Sequence, residues 1–168
     1  MAIRPSVKIK DVNGEYIKVN EAVVGRYAEV YGFDSAVRIP VDNKTGLPLA
    51  SRQQSETMFA KAVDRSSTLI KQYLSEGIKV PEVVITLYDF DKVAGKEKVS
   101  YEFKFEEVTF TRKEVFVVNA FSKEAEEFPV MERIFFVAEK VTETYLLDGH
   151  MAYQDCYKEK ALGAAATA

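Results

Sequence analysis

One short helical segment is set into a chain that otherwise alternates with the period of a β-strand, and this mixture restricts the architecture more than any other feature. The stretch from Ile39 to Gly77, IPVDNKTGLPLASRQQSETMFAKAVDRSSTLIKQYLSEG, reads as a strand, a long polar loop, a second strand and one helix. Leu69, Ile70, Tyr73 and Leu74 share one face at helical spacing. The pattern predicts a helix over about Ser67 to Glu76, capped by Ser66 or Ser67, with Gly77 at the C′ position and Pro81 just beyond. So short a helix is marginal alone and must lay its apolar face on a sheet.

The sheet is legible on both sides of it. Val7 to Lys10 and Tyr16 to Val19 alternate around Asn13-Gly14, the strongest short hairpin signal. Arg26 to Phe33 and Ala36 to Val41 read as two further strands, the second ending or lying at an edge because Pro40 lacks a donor. Val83 to Phe90 is a dense apolar strand, followed by a turn at Ala94-Gly95-Lys96. Val99, Tyr101, Phe103 and Phe105 then alternate with polar residues, and the phase flips at Glu106-Glu107 before Val108 and Phe110. A one-residue slip exchanges the two faces, so a bulge or a sharp bend is expected there. Val115 to Val118 continues as strand, Asn119 to Pro129 is an acidic loop, and Glu132 to Tyr145 is a long strand. Asp148-Gly149 turns the chain into a last strand, Met151 to Tyr157. The sequence has no internal repeat, and residues 1–160 read as one domain with a frayed, small-residue tail over 161–168.

Val41 to Gln54 stands apart. Asp42, Asn43, Gly46 and Pro48 are turn formers, yet the segment is longer than most connections, and long loops in compact domains are commonly functional. It also carries Leu47 and Leu49, which a purely solvated loop would not favour.

Catalytic groups are scarce. His150 is the only histidine and falls in a turn, and Cys156 is the only cysteine, so neither an intramolecular disulfide nor a His- or Cys-based metal site can form. No glycine-rich phosphate loop is present. The acidic pairs Asp89/Asp91, Glu106/Glu107 and Glu126/Glu127 sit at turns or bends, where charge is ordinarily solvated. The Phe/Tyr alternation from Val99 to Phe105 suits core filling, with a ligand cavity as the alternative. No catalytic residue, cofactor or metal is expected. A net charge of -3 with interspersed signs gives no basic face for nucleic acid. The N-terminus lacks the apolar core of a cleaved signal, and no run approaches a bilayer span, so the expectation is a protein made in the cytoplasm with no direct membrane insertion.

Parsed this way, the chain resembles the Hcp family, the tube protein of bacterial type VI secretion systems. The resemblance rests on Ile39-Pro40-Val41-Asp42-Asn43-Lys44-Thr45-Gly46, then Arg52, then Lys61-Ala62-Val63-Asp64-Arg65-Ser66-Ser67. Val84 to Tyr88, Tyr101 to Val108, and Glu139-Lys140-Val141-Thr142 through Asp148-Gly149 extend it over nearly the whole chain. Two positions depart from the family pattern: Gln54-Ser55-Glu56 replaces a His-x-Pro, and Glu143 stands where an aromatic residue is usual. The resemblance implies two packed antiparallel sheets forming a compact barrel with one helix against it. It implies a hexameric ring that stacks into a tube, sheath and tip-spike partners, small effector proteins in the lumen, and export without a cleaved signal. It places Asp42, Asn43, Lys44, Thr45, Gly46, Leu47, Leu49 and Arg52 in a loop at the ring face, where rings meet. A phage tail-tube protein or related injection device is the neighbouring reading, and a small β-barrel ligand-binding protein is the alternative of a different class.

Overall fold

The centre of the molecule is a meander of three long strands, β7 (Val80–Asp91), β8 (Lys96–Phe116) and β9 (Met131–Tyr145), each pairing antiparallel with the next. The computed structural model describes residues 5–19, 27–117, 121, 123 and 129–157. Around the meander lie β1 (Ser6–Ile9), β2 (Ala28–Glu29), β3 (Gly32–Asp34), β6 (Thr57–Ala62) and β10 (Met151–Cys156). The sheet runs β2-β1-β7-β8-β9-β6-β3, with β10 also on β9. β9 is long enough to serve two neighbours: its first half pairs with β6 and its second with β10. A separate ribbon pairs β4 (Val37–Arg38) with β5 (Gln53–Gln54).

The two ends of this order, β2 and β3, are neighbours along the chain, so the sheet curls until they meet. Of the strand expected over Arg26 to Phe33, Arg26 lies outside the described residues, and Tyr27 to Phe33 is not one strand. Val30 and Tyr31 interrupt it, because here the chain steps from one edge of the sheet to the other. The Val30 amide donates to the Pro5 carbonyl and the Tyr31 amide to the Ala60 carbonyl, both at 2.8 Å. Val30 is buried at the seam. The two packed layers are thus opposite parts of one curled sheet.

The phase flip at Glu106-Glu107 is a bend that crosses three strands. Phe105 and Val108 both face the core, as do Val83 and Val80 on β7, so two successive residues face outward in each strand. On β9 the same step separates Val141 from Ala138. Pairing stays in register on either side, Glu82 with Glu106 with Lys140 and Val80 with Val108 with Ala138. Glu107 absorbs the bend with φ 53°, a left-handed conformation that costs a side-chain-bearing residue about 1–2 kcal/mol. The register shifts themselves lie elsewhere, at Leu87/Tyr88 and Phe110/Arg112. The outward residues along the bend are charged and pair across strands. Lys10 meets Glu82 (3.2 Å), Lys104 meets Glu82 (3.4 Å) and Glu106 (3.7 Å), and Lys140 meets Glu106 (3.2 Å).

Inside, the aromatic alternation of β8 fills the core. Phe105 is fully buried and meets Phe136 edge-on at 4.9 Å, while Phe103 meets Phe33 in the same way. Such side chains contribute about 1.5–3 kcal/mol each. Helix α1 (Ser66–Glu76) adds Ile70 and Tyr73 to this core and ends at Gly77, φ 65°.

The start of α1 differs from expectation. Neither serine caps it; Arg65 occupies the cap position and its side chain makes no capping hydrogen bond, and Ser66 and Ser67 lie in the first turn. Ser67 is instead drawn into a buried polar cluster. Its hydroxyl donates to Glu132 Oε1 (2.8 Å) and accepts from the Asp64 amide (2.9 Å). Lys61, fully buried, places its ammonium 2.7 Å from Glu132 Oε1 and 2.8 Å from Asp64 Oδ2. Lys113 stands 3.1 Å from Glu132 Oε2, too obliquely for a hydrogen bond, and donates to the Ser67 carbonyl at 2.7 Å. The motif Lys61 to Ser67 thus ties β6, α1, β8 and β9 together.

Candidate functional site: the arm and the cleft at its root

The chain between β4 and β5 is a shaped hairpin. The Asp42 amide donates to the Leu47 carbonyl (2.9 Å), and the Leu49 amide donates to the Pro40 carbonyl (2.8 Å). Val41 and Pro48 face each other between these two bonds. A residue at such a site needs no N–H in the ladder, so Pro48 is accommodated without loss. At the tip, the Gly46 amide donates to the Asp42 carbonyl (2.8 Å), and Asp42 Oδ1 accepts the Lys44 amide (2.7 Å). Gly46 takes φ 70°, which its lack of a Cβ permits.

The arm's surface is apolar. Val37, Ile39, Val41, Leu47 and Leu49 are all exposed, the two leucines at 65% and 66%. The register sets Val41 and Pro48 on one face and Leu47 and Leu49 on the other. A ribbon apolar on both faces cannot satisfy itself by lying on its own sheet. Of the residues expected at the ring face, Asp42, Asn43, Lys44, Thr45 and Gly46 form the tip, with Leu47 and Leu49 on the returning strand.

Arg52 lies apart from them, at the root. Its Nε donates to Asp155 Oδ2 (2.5 Å), and Nη2 bonds the other carboxylate oxygen and the Cys156 carbonyl (3.2 Å). The guanidinium also lies over the Tyr157 ring, 4.8 Å from its centroid. A bidentate carboxylate grip of this kind is directional and strong. Hydrogen bonding to Asp155 first of all holds the Arg52 pKa above its usual value.

Beside this clip a cleft of about 200 Å³ opens between the root and the upper half of β9 and β10. Val37, Gln54, Val141, Glu143, Tyr153 and Asp155 are among its walls. Glu143 Oε2 accepts the Tyr101 hydroxyl at 2.7 Å. That bond, ahead of burial, pushes the Tyr101 hydroxyl up to about 12.

Other sequence candidates resolve into ordinary roles. His150 is exposed before β10, and Cys156 is half-buried at its end. Asp91 Oδ1 accepts the Val93 and Ala94 amides and shapes the β7–β8 turn. Glu126 and Glu127 lie outside the described residues. Among the described residues, no cluster of three His, Cys, Asp or Glu side chains is placed to hold a metal ion, and no helix is long and apolar enough to cross a membrane. The buried Lys61–Glu132 cluster and the Arg52–Asp155 clip escaped sequence reasoning. The one available signal was Lys61 itself, a charge at an inward position of a strand.

The family model for the type VI secretion system effector Hcp matches residues 7–145. This chain belongs to the Hcp family. Its curated relative "Major exported protein" of Pseudomonas aeruginosa is 25% identical over 126 residues, covering 75% of this chain and 73% of that protein. The Hcp1 structure from E. coli EAEC 042 superimposes with a TM-score of 0.79 at 24% identity, over 93% of this chain and 99% of that one. Hcp3 from Pseudomonas aeruginosa does so with a TM-score of 0.72 at 20% identity, over 93% and 99%. The curled sheet, helix α1 and the small second sheet are the Hcp fold.

Proposed function

We propose that this Hcp chain is a structural subunit whose copies close into hexameric rings and stack through the arm into a tube. The single observation that carries the reading is the arm: a hairpin held in one shape by its own hydrogen bonds, with both faces aliphatic and exposed. A preformed apolar projection loses little entropy on docking, and each buried leucine contributes about 1.5–3 kcal/mol. The contribution repeats in every subunit, so it weighs more on stacking than on the fold. The arm tip, Asp42 to Gly46 with Leu47 and Leu49, meets the next ring, while Arg52 aims the arm by gripping Asp155. A heterologous contact of this kind leads to closed rings and open-ended stacks.

The subunit works by association and not by catalysis. Residues 1–160 act as one domain, with 161–168 as its tail. The chain is made in the cytoplasm and leaves without a cleaved signal peptide, inside a contracting sheath and behind a tip spike, with small effector proteins in the lumen. The test compares the parent with a Leu47→Asp/Leu49→Asp double variant by light scattering, electron microscopy and a secretion assay. The parent is expected as rings and stacks; the variant should keep rings, lose stacks and fail to be secreted. A parent that stays monomeric at high micromolar concentration would overturn the ring, and a variant that stacks and secretes normally would overturn the arm's role.

A further inference from the structure

The arm leaves the barrel after Asp34 and returns at Thr57, on two strands that are neighbours in the sheet, β3 and β6. Within itself it is well held, by the β4–β5 pairs, by the Ser55 amide on the Ala36 carbonyl (2.9 Å) and by the bonds at its tip. Its attachment to the barrel is slight. Among the described residues, Arg52 is the one member of 35–56 with a hydrogen bond or ion pair to the barrel. All its partners lie on one segment: both Asp155 oxygens, the Cys156 carbonyl and the Tyr157 ring. Elsewhere the cleft separates Val37 and Gln54 from Val141 and Tyr153. The strand that supplies these partners is itself weakly held. β10 pairs with β9 along one edge and has no strand on the other. None of its side chains is buried, and Met151 is 77% exposed. A segment with one ladder and few buried contacts opens locally at lower free energy than the core.

We propose that β10 is a strap that sets the arm. Docked on β9, it presents Asp155 to Arg52 and fixes the arm in one pose. Lifted from β9, it carries Asp155 away and leaves the arm, still folded, to swing about Asp34 and Thr57. For its consequence the inference rests on the arm's role in stacking: rings stack only with their straps docked. The coupling is reciprocal, because an arm seated on the next ring keeps Arg52 in place and so favours the docked strap.

The pose is read in the full-length protein by the distance between two spin labels, one at Lys44→Cys on the arm tip and one at Lys71→Cys on α1, both exposed positions. The background is Cys156→Ser, which keeps the backbone carbonyl that Arg52 uses. Excess unlabelled protein ensures that each distance comes from one subunit. A single narrow distance is expected while Arg52 and Asp155 are intact. Asp155→Asn removes the carboxylate charge, and Arg52→Lys keeps a cation without the two-point grip; each should broaden the distribution. Hydrogen exchange of the β8 amides beside Phe105 should match the parent, showing that both variants stay folded. The same method reads the reciprocal effect: β10 amides should exchange about tenfold or more slowly in stacks than in unstacked rings, and Arg52→Lys should remove the difference. A folded Asp155→Asn variant with the parent's narrow distance would overturn the strap, as would β10 exchange indifferent to stacking. A broadened arm that still stacks like the parent would overturn the strap's control of stacking. If instead Leu47→Asp/Leu49→Asp keeps the narrow distance and stacks normally, the arm's role in stacking falls while the strap stands.

Discussion

Glu82 shows how one residue on the bend sets the molecule's response to acid. It accepts the Tyr16 hydroxyl at 2.6 Å and stands between Lys10 and Lys104. Burial pushes its carboxyl up, but the bonds from Tyr16 and Lys10 and the two lysine charges more than offset this and hold it below its ordinary value. A depressed folded value means the unfolded chain takes up its proton first as pH falls. The contribution is therefore complete above about 4.5, the ordinary carboxyl value, and is lost as pH drops through the depressed one. Tyr16 acts at the other extreme: burial, then Glu82, push it up to about 12 from 10.0, so its share is complete below pH 10 and lost toward pH 12. Urea midpoints measured from pH 3 to 12 should fall at both ends. Glu82→Gln should flatten both slopes while lowering the plateau, and an unchanged acid slope would remove Glu82 from the account.

At the scale of elements, helix α1 is held by charge as much as by its apolar face. Lys61 lies wholly inside and is matched by Glu132 and Asp64, with Ser67 bridging. Breaking one member of a buried pair leaves the other uncompensated and typically costs about 3–5 kcal/mol. Lys61→Met keeps the volume and removes the charge, so it should lower unfolding stability by about that amount in urea melts. A loss below about 1 kcal/mol, the range of exposed pairs, would mean the cluster is hydrated and not structural.

This cluster also marks where the sequence stops being readable. The helix, the β7–β8–β9 meander, the Asp148-Gly149 turn and the bend at Glu107 rest on neighbours along the chain, and their periods and turn residues announced them. The arm was visible as a long loop with two misplaced leucines. Its root was not, because Arg52 finds Asp155 103 positions away. Ser67 spends its hydroxyl on Glu132, 65 positions away, and not on the cap that local rules assign it. The break at Val30-Tyr31 was equally hidden, since alternation records burial and cannot say that a strand has changed neighbours.

Taken whole, the barrel has a schedule written into its connectivity. The meander pairs strands that follow one another, so it can form with short closures. Val30 and Tyr31 can bond only after the Pro5 and Ala60 carbonyls are both in place, at opposite edges of an already curled sheet. Whatever the chain gains from closing the barrel comes late and depends on every earlier pairing. The same step should be the first to reverse. In native-state hydrogen exchange, the Val30 and Tyr31 amides should lose protection at lower opening free energy than the β8 amides beside Phe105, although Val30 is as buried as Phe105. Equal protection would mean that the barrel opens only by unfolding altogether. A lower value would make the seam a latch: a place where the wall of the subunit can part and re-form while the meander that carries it stays whole.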